Sequence, residues 1–198
     1  MKTVFTTPLI QPLLTVIAKV ALRLSGWKLA GELPKEKKYL LIGAPHTSNW
    51  DFCLMLCLVL SRRMSVNWMG KQQLFKPPFH HFMRWLGGIP IERSKANNTV
   101  EQMVDAFNKA DEMILIITPE GTRSKVSQWK TGFYHIAQQA QVPIVQGYID
   151  ASKKHCGFGP RLEPNGDIEQ DMAAIKTFYR DKHGIRPALG LDSDTPAA

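Results

Sequence analysis

Short apolar runs alternate with stretches of helical periodicity along the chain from residue 38 onward. The runs are rich in branched residues and are bounded by glycine, proline or polar residues, which is typical of buried strands. They predict strands at residues 39–44, 65–69, 89–92, 113–118 and 142–149, and a further strand or hairpin near residues 153–161.

Helical patterns fill the intervals between these runs, at residues 51–60, 79–86 and 129–140. Two more helix starts carry capping signals: Thr99 with Gln102 three residues later, and Asp167. The alternation predicts one α/β domain at residues 31–184, with a mixed, mostly parallel sheet flanked by helices. Residues 185–198 are expected to form a loose C-terminal tail.

A separate apolar segment precedes the domain, at residues 8–24. Polar residues recur in it at every fourth position: Gln11, Thr15, Lys19 and Arg23. On a helix they would form one polar stripe. A membrane-spanning helix needs about 20 mostly apolar residues, and this segment is interrupted by a proline and two basic residues. We therefore expect residues 1–30 to form an amphipathic helix in a membrane interface, with packing against the domain as the alternative.

The net charge narrows the choice of partners. Lysine and arginine number 25 against 17 acidic residues in a chain of 198, which gives a formal charge of +8. This balance favours anionic partners such as membrane lipids, phosphorylated small molecules or nucleic acid, although a solvated basic surface would look the same. The sequence has neither an aromatic RNA-binding signature nor a helix-turn-helix pattern, so nucleic acid is not expected.

The cysteines show no metal-binding pattern. Cys53 and Cys57 lie four residues apart in an apolar run, so we expect both to face the protein interior from a helix. Cys156 stands alone. An odd number of cysteines without ligand spacing indicates neither a zinc site nor a disulfide framework, and fits a reducing compartment such as the cytoplasm.

Candidate chemistry begins with His46 and Asp51, which follow the first predicted strand of the domain. A carboxylate can orient an imidazole that removes a proton from a hydroxyl group. Five residues of regular helix would rotate the two side chains away from each other, so His46 must lie in a loop and Asp51 in the first helical turn. The alternative is that Ser48 and Asp51 form an ordinary helix cap beside a plain loop histidine.

A second polar segment, from Pro119 to Ser124, follows the strand predicted at residues 113–118. It combines a glycine with a carboxylate, hydroxyl groups and a guanidinium, a set that suits phosphate binding. Both segments follow strands, where ligands usually bind in alternating strand–helix folds.

Two further sequence motifs join the His46–Asp51 and Pro119–Ser124 segments in a recognisable set of four. One runs from Gly87 to Arg93 and one from Val142 to Val145. With the two polar segments, these ordered blocks resemble the glycerolipid acyltransferase family, in particular the bacterial 1-acylglycerol-3-phosphate acyltransferases. Three positions depart from the family's usual residues: Pro45 for asparagine, Glu92 for aspartate and Gln146 for proline. The resemblance covers about residues 38–150.

The resemblance implies an α/β acyltransferase domain in which His46 deprotonates the acceptor hydroxyl and Asp51 orients His46. It also implies that Arg93 and Arg123 bind the acceptor phosphate, because a guanidinium can bind two phosphate oxygens at once. The acyl donor would be a thioester of acyl carrier protein or coenzyme A, and no cofactor would be needed.

The remaining candidates have supporting roles in this interpretation. Gly121 would allow close backbone approach of the substrate, and Thr122 could donate a hydrogen bond to it. Glu120 is expected to hold an arginine in place. Lys71 is a weaker phosphate candidate, since a surface lysine has the same appearance.

The predicted reaction is transfer of a fatty acyl group to a lysophospholipid, with 1-acylglycerol-3-phosphate as the leading acceptor. The protein would act at an anionic membrane surface, peripherally, on the cytoplasmic face of the inner membrane. Two alternatives stay open from the residues: a thioester or lipid hydrolase, and a non-catalytic basic lipid-binding module.

Overall fold

The structure, a computed structural model, describes residues 2–91 and 96–189. Its helices, in chain order, are α1 Ile10–Leu24, α2 Asn49–Ser61, α3 His80–Trp85, α4 Ala96–Lys109, α5 Gly132–Gln139 and α6 Ile168–Tyr179. Its strands are β1 Lys28–Ala30, β2 Lys38–Ala44, β3 Asn67–Lys71, β4 Gly88–Ile91, β5 Met113–Ile117, β6 Ile144–Asp150 and β7 His155–Leu162. Short 3-10 turns lie at Gln72–Phe75 and Pro187–Leu189.

The strands form one mixed sheet in the order β1-β7-β6-β2-β5-β3-β4. The run from β6 to β4 is parallel throughout, whereas β7 is antiparallel to β6 and β1 is parallel to β7. The expected fold class is therefore confirmed. Because β2, β5, β3 and β4 are parallel neighbours, their carboxyl ends meet at one edge of the sheet, which is the usual place for a ligand site.

The alternation of side chains along β2 divides the core in two. Leu40 and Ile42 face α4, α5 and α6, while Tyr39 and Leu41 face α1 and α2. Successive residues of a strand point to opposite faces of the sheet, and β2 is buried on both. The sheet is therefore the middle layer between two layers of helices.

Several local predictions were wrong. The helix α4 begins at Ala96, so Thr99 lies inside it and does not cap it. Cys53 is exposed and Cys57 half-buried, because the buried face of α2 is formed by its other apolar residues; Cys156 is buried. The cap at Asp167 is confirmed, since its carboxylate accepts a hydrogen bond of 3.0 Å from the Gln170 N–H.

The helix α1 packs on the domain with part of its predicted polar stripe turned inward. Thr15 is buried, and its hydroxyl donates to the Leu60 carbonyl of α2 at 3.1 Å, while Ala18 and Leu22 join the adjacent core. The exposed side of the helix is largely apolar and includes Leu13, Val16, Ile17, Val20 and Leu24. The described residues contain no helix of the length and apolar character that crossing a membrane requires.

The chain beyond α6 is not loose at its start. The backbone N–H groups of Ile185 and Arg186 donate hydrogen bonds to the side chains of Asp51 in α2 and Thr47 in the loop after β2, and residues 187–189 form a 3-10 turn. The expectation of a loose tail therefore fails for residues 185–189. Residues 190–198 lie outside the described residues.

Candidate active site

An apolar cavity of about 240 Å³ lies between the sheet and α2, at the edge where β2 ends. Its walls are formed by apolar side chains that include Phe5, Met55 and Val59. His46 and Asp51 are among its few polar lining residues in the described part of the chain. The two predicted catalytic residues therefore line the same cavity.

Asp51 is the third residue of α2 and is 1% exposed. Its Oδ2 accepts hydrogen bonds from the backbone N–H groups of Thr47 at 2.5 Å and Ser48 at 2.6 Å, and from the Thr47 hydroxyl at 3.1 Å. The Ser48 hydroxyl accepts from the Trp50 N–H at 3.2 Å. The helix cap left open by the sequence is therefore present, and it fixes the loop that carries His46.

Among the described contacts, no hydrogen bond joins the His46 ring to the Asp51 carboxylate. In the described chain no ion pair joins them either. The Asp51 oxygens accept hydrogen bonds from backbone N–H groups and from the Thr47 hydroxyl. Asp51 still acts on the ring through its charge. Burial lowers the pKa of His46 below the ordinary value, the Asp51 charge opposes that effect, and the Arg123 charge adds to it. The net result favours the neutral imidazole, which is the form that can accept a proton.

Glu120 supports the same loop from the other side. Its side chain is 6% exposed, and its Oε1 accepts a hydrogen bond of 3.1 Å from the His46 backbone N–H. Burial raises the pKa of Glu120 to about 7, and its Oε2 has no partner among the described residues. Among the described residues, Glu120 bonds to the backbone of His46 and no ion pair joins it to an arginine. That Glu120 holds an arginine stays a prediction, because Arg93 lies outside the described residues. The burial of Glu120 leaves little of it accessible to a substrate.

The turn after β5 presents the predicted phosphate-binding residues to solvent. Gly121 has a positive φ of 64°, a conformation that glycine adopts without strain. Thr122 and Arg123 are exposed, and the Arg123 guanidinium bonds to the side-chain oxygen of Asn49 at the start of α2. This contact brings the turn after β5 against the loop after β2.

Two further cations were predicted for this edge. Lys71 is the last residue of β3 and is exposed, within the parallel part of the sheet. Arg93 lies outside the described residues, two positions beyond the end of β4.

Sequence reasoning missed several contributors. Asn49 and Thr47 were overlooked, although both lie inside the His46–Asp51 segment. Lys130 was also missed: a Cβ on Gly121 would lie 3.0 Å from its Nζ, so this lysine covers the turn. Only the three-dimensional contact reveals Lys130, because a lysine after a tryptophan carries no recognisable pattern.

Comparison with known proteins identifies the family. A family model described as "Acyltransferase" matches residues 28–149, more than half of the chain. The chain belongs to the acyltransferase family. The match contains the loop of His46 and the turn of Arg123, so the resemblance inferred from the motifs is confirmed.

Two curated relatives of the chain are longer proteins. A 1-acyl-sn-glycerol-3-phosphate acyltransferase of Saccharomyces cerevisiae is 33% identical over 130 residues, which cover 60% of this chain and 41% of the relative. An enzyme of the same name from Cocos nucifera is 30% identical over 105 residues, covering 50% of this chain and 33% of the relative. The chain thus spans less than half the length of either relative.

A solved structure shares the fold. The crystal structure of the 1-acyl-sn-glycerophosphate acyltransferase PlsC from Thermotoga maritima superposes with a TM-score of 0.61 at 18% identity, covering 85% of this chain and 76% of that one. At this identity the likeness supports the architecture of the acyltransferase domain and says nothing about its substrate.

Proposed function

We propose that the protein transfers a fatty acyl group from an acyl thioester to the hydroxyl group of a lysophospholipid, with 1-acylglycerol-3-phosphate as the acceptor. The observation that carries the proposal is the position of His46, a half-buried imidazole whose lowered pKa favours the neutral form, on the wall of an apolar cavity. A proton acceptor beside an apolar cavity suits a reaction between a hydroxyl group and an acyl chain.

The proposed reaction needs no nucleophile from the protein. His46 removes the proton of the acceptor hydroxyl as that oxygen attacks the thioester carbonyl carbon. The carbon–sulfur bond of the resulting tetrahedral adduct then breaks, and the histidinium gives its proton to the departing thiolate. Asp51 favours the histidinium through its negative charge and holds the loop through the Thr47 and Ser48 N–H groups. No cofactor enters this scheme, since the donor is already activated as acyl carrier protein or coenzyme A thioester.

The cavity offers a place for the acyl chain. Gly43 of β2 and Met55 of α2 both line it, and a Cβ on Gly43 would lie 3.1 Å from the Met55 Cε. The absence of a side chain at residue 43 therefore leaves space beside Met55. Burial of an apolar chain there would contribute about 0.8 kcal/mol per methylene.

The cations near His46 are our candidates for binding the acceptor phosphate. The Arg123 charge acts on the His46 pKa, which supports placing a phosphate close to the reacting hydroxyl. Arg93 and Lys71 are further candidates for binding the phosphate. Lys71 ends β3 and Arg93 follows β4 in the sequence, and both strands end at the same edge of the sheet as β2. Thr122 adds a hydroxyl group on the exposed turn. The names of the yeast and coconut relatives favour 1-acylglycerol-3-phosphate over an acceptor that lacks a phosphate.

A membrane surface completes the proposal, because both substrates have long apolar chains. The apolar side of α1 is exposed, with Leu13 60% and Ile17 52% accessible. Lys19, Arg23 and Lys28 are exposed around the end of the same helix. An apolar helix face with basic flanks is typical of binding in the interface of anionic membranes. We place the protein peripherally on the cytoplasmic face of the inner membrane.

The proposal is tested by supplying purified protein with acyl thioester and either lysophosphatidate or the matching monoacylglycerol, which lacks the phosphate. Thiol release should require an acceptor and should be much faster with lysophosphatidate. The variant Arg123→Gln should raise KM for lysophosphatidate about tenfold or more, since one charge-assisted contact contributes roughly 1.5–3 kcal/mol.

Arg161→Gln is the matched control, because Arg161 pairs with Glu36 at the opposite edge of the sheet and its loss should leave KM unchanged. Release of free fatty acid without an acceptor would instead identify a hydrolase. Vesicle binding without turnover would identify a lipid-binding module.

A further inference from the structure

The chain segment after α6 reaches the catalytic loop and bonds to it. The Ile185 N–H donates to Oδ1 of Asp51 at 3.4 Å, and the Arg186 N–H donates to the Thr47 hydroxyl at 3.1 Å. We refer to residues 184–186 as the C-terminal clasp. Thr47 and Asp51 are also the residues that hold the His46 loop to α2, so the clasp contacts the support of the catalytic histidine.

The Thr47 hydroxyl connects the two sets of bonds. It donates its proton to Oδ2 of Asp51 at 3.1 Å and accepts from the Arg186 N–H with a lone pair. One hydroxyl group can do both, because it has one donor and two acceptor positions. The carboxylate thereby receives hydrogen bonds from its own loop on one oxygen and from the clasp on the other.

Close packing accompanies these bonds. Gly184 is buried, and a Cβ at this position would lie 2.4 Å from the Thr47 Oγ1 and 2.7 Å from its Cγ2. Contacts this short do not occur between real side chains, so any residue larger than glycine must displace either the clasp or Thr47. The clasp therefore fits the loop only with a glycine at residue 184.

The residues just before the clasp are fixed to the sheet. The Ala151 N–H donates to the His183 carbonyl at 2.7 Å, directly after β6. The Tyr179 hydroxyl, at the end of α6, donates to the Gly147 carbonyl of β6 at 2.9 Å. The clasp thus connects β6 to the loop after β2. The strands β2 and β6 are neighbours in the sheet.

We propose that the C-terminal clasp is a positioning element of the active site, which holds Thr47 and Asp51 so that His46 faces the acceptor hydroxyl. The clasp touches no reacting atom and acts through these two side chains. Its kinetic test rests on the proposed acyl transfer. A displacement of about 1 Å in a catalytic group can cost around a hundredfold in rate, so the effect belongs in kcat.

The test compares the full-length variant Gly184→Ala with Gly132→Ala. A Cβ at Gly132 meets no atom within 4 Å, so the control introduces the same methyl group into open space. Gly184→Ala should lower kcat at least tenfold with an unchanged KM for lysophosphatidate, and Gly132→Ala should change neither. Equal kinetic constants for the two variants would overturn the proposal.

A double-variant cycle separates direct contact from general damage. Thr47→Ala removes the two atoms nearest to the added methyl group and also removes the hydroxyl bridge. Thr47→Ala alone should lower kcat, and adding Gly184→Ala to it should lower kcat little further. Losses that simply multiply in the double variant would show that the two residues act independently, against the proposal.

Amide hydrogen exchange provides a readout that needs neither activity nor a well-folded variant at residue 184. In the unaltered protein the Ile185 and Arg186 amides should be protected, and Thr47→Val should accelerate exchange at Arg186 selectively. Rapid exchange at both amides in the unaltered protein would overturn the clasp. Protected amides in a protein without transferase activity would instead refute the proposed function and leave the clasp in place.

Discussion

At the scale of single residues, two carboxylates hold one histidine in different ways. Asp51 binds the backbone on the carboxyl side of His46, through Thr47 and Ser48. Glu120 binds the backbone of His46 itself. Neither carboxylate bonds to the imidazole ring among the described contacts, so the ring is positioned through its backbone and its protonation is set by burial and by nearby charges.

The raised pKa of Glu120 makes stability depend on pH. Its folded pKa of about 7 lies above the ordinary glutamate pKa of 4.5, so between these pH values the folded protein keeps a proton that the unfolded chain releases. The resulting stabilisation by protonation is fully present below pH 4.5 and is lost as pH rises through 7. We expect Glu120→Gln to become more stable than the unaltered protein by ~3 kcal/mol over this range, a gain of several degrees in Tm at pH 8.

Thermal unfolding at pH 4.5 and pH 8 measures this gain. Glu101→Gln, at an exposed position of α4, is the control and should show no comparable change.

Glu120→Gln should keep most of the transferase activity, because an amide oxygen can still accept from the His46 N–H. Glu120→Ala leaves that N–H unpaired at a cost of roughly 1–3 kcal/mol and should reduce kcat. The stability difference between Glu120→Gln and the unaltered protein should be larger at pH 8 than at pH 4.5. A smaller difference at pH 8 would contradict the raised pKa of Glu120.

The motif order alone indicated His46, Asp51 and Arg123, but it could not indicate what Glu120 does. A glutamate between proline and glycine after a strand could point outward to a ligand or inward to the neighbouring loop. The choice depends on the adjacency of β2 and β5, which places the loop of His46 beside the turn of Glu120. Local sequence does not encode that pairing.

At the scale of elements, α1 shows how periodicity can mislead. The spacing of its polar residues correctly predicted a helix, but the buried contact includes Thr15, whose hydroxyl bonds to the Leu60 carbonyl. The small side chain of Ala18 and the larger one of Leu22 are buried on the same side, whereas Leu13, Val16, Ile17 and Val20 remain exposed. The face that meets the domain therefore combines a polar residue of the predicted stripe with apolar residues.

The exposed side of α1 gives a prediction about membranes. The double variant Ile17→Ser with Val20→Ser should weaken binding to anionic vesicles at least tenfold, because each apolar side chain that enters the interface contributes roughly 1.5–3 kcal/mol when fully buried. Sedimentation with vesicles measures the bound fraction, and added salt should weaken binding only in part, since it screens charges alone.

Leu33→Ser is the control, as it removes an exposed leucine outside α1 and should not alter vesicle binding. The transferase activity of the double variant should be retained on acceptor supplied in detergent. Vesicle binding that is unaffected by the double variant would remove α1 from the membrane contact and leave the site unchanged.

At the scale of the whole molecule, the parallel sheet brings distant motifs together. The segments after β2 and β5 are far apart in sequence, yet these strands are neighbours and end at the same edge. The alternation of strands and helices was enough to predict the shared edge, since parallel strands with helical crossovers share one carboxyl edge, but not that β2 and β5 are neighbours. It could not predict that the chain after α6 returns to the same edge, because backbone N–H donors such as that of Ile185 carry no sequence signal.

The most direct test of the account measures the acyl transfer rate of the unaltered protein and of His46→Ala, with acyl thioester and lysophosphatidate both present. Loss of the general base should lower kcat roughly 10²–10⁴-fold while the acyl thioester still binds and Tm is unchanged. A His46→Ala variant that folds normally and transfers acyl groups at an undiminished rate would contradict the assignment of His46 as the catalytic base.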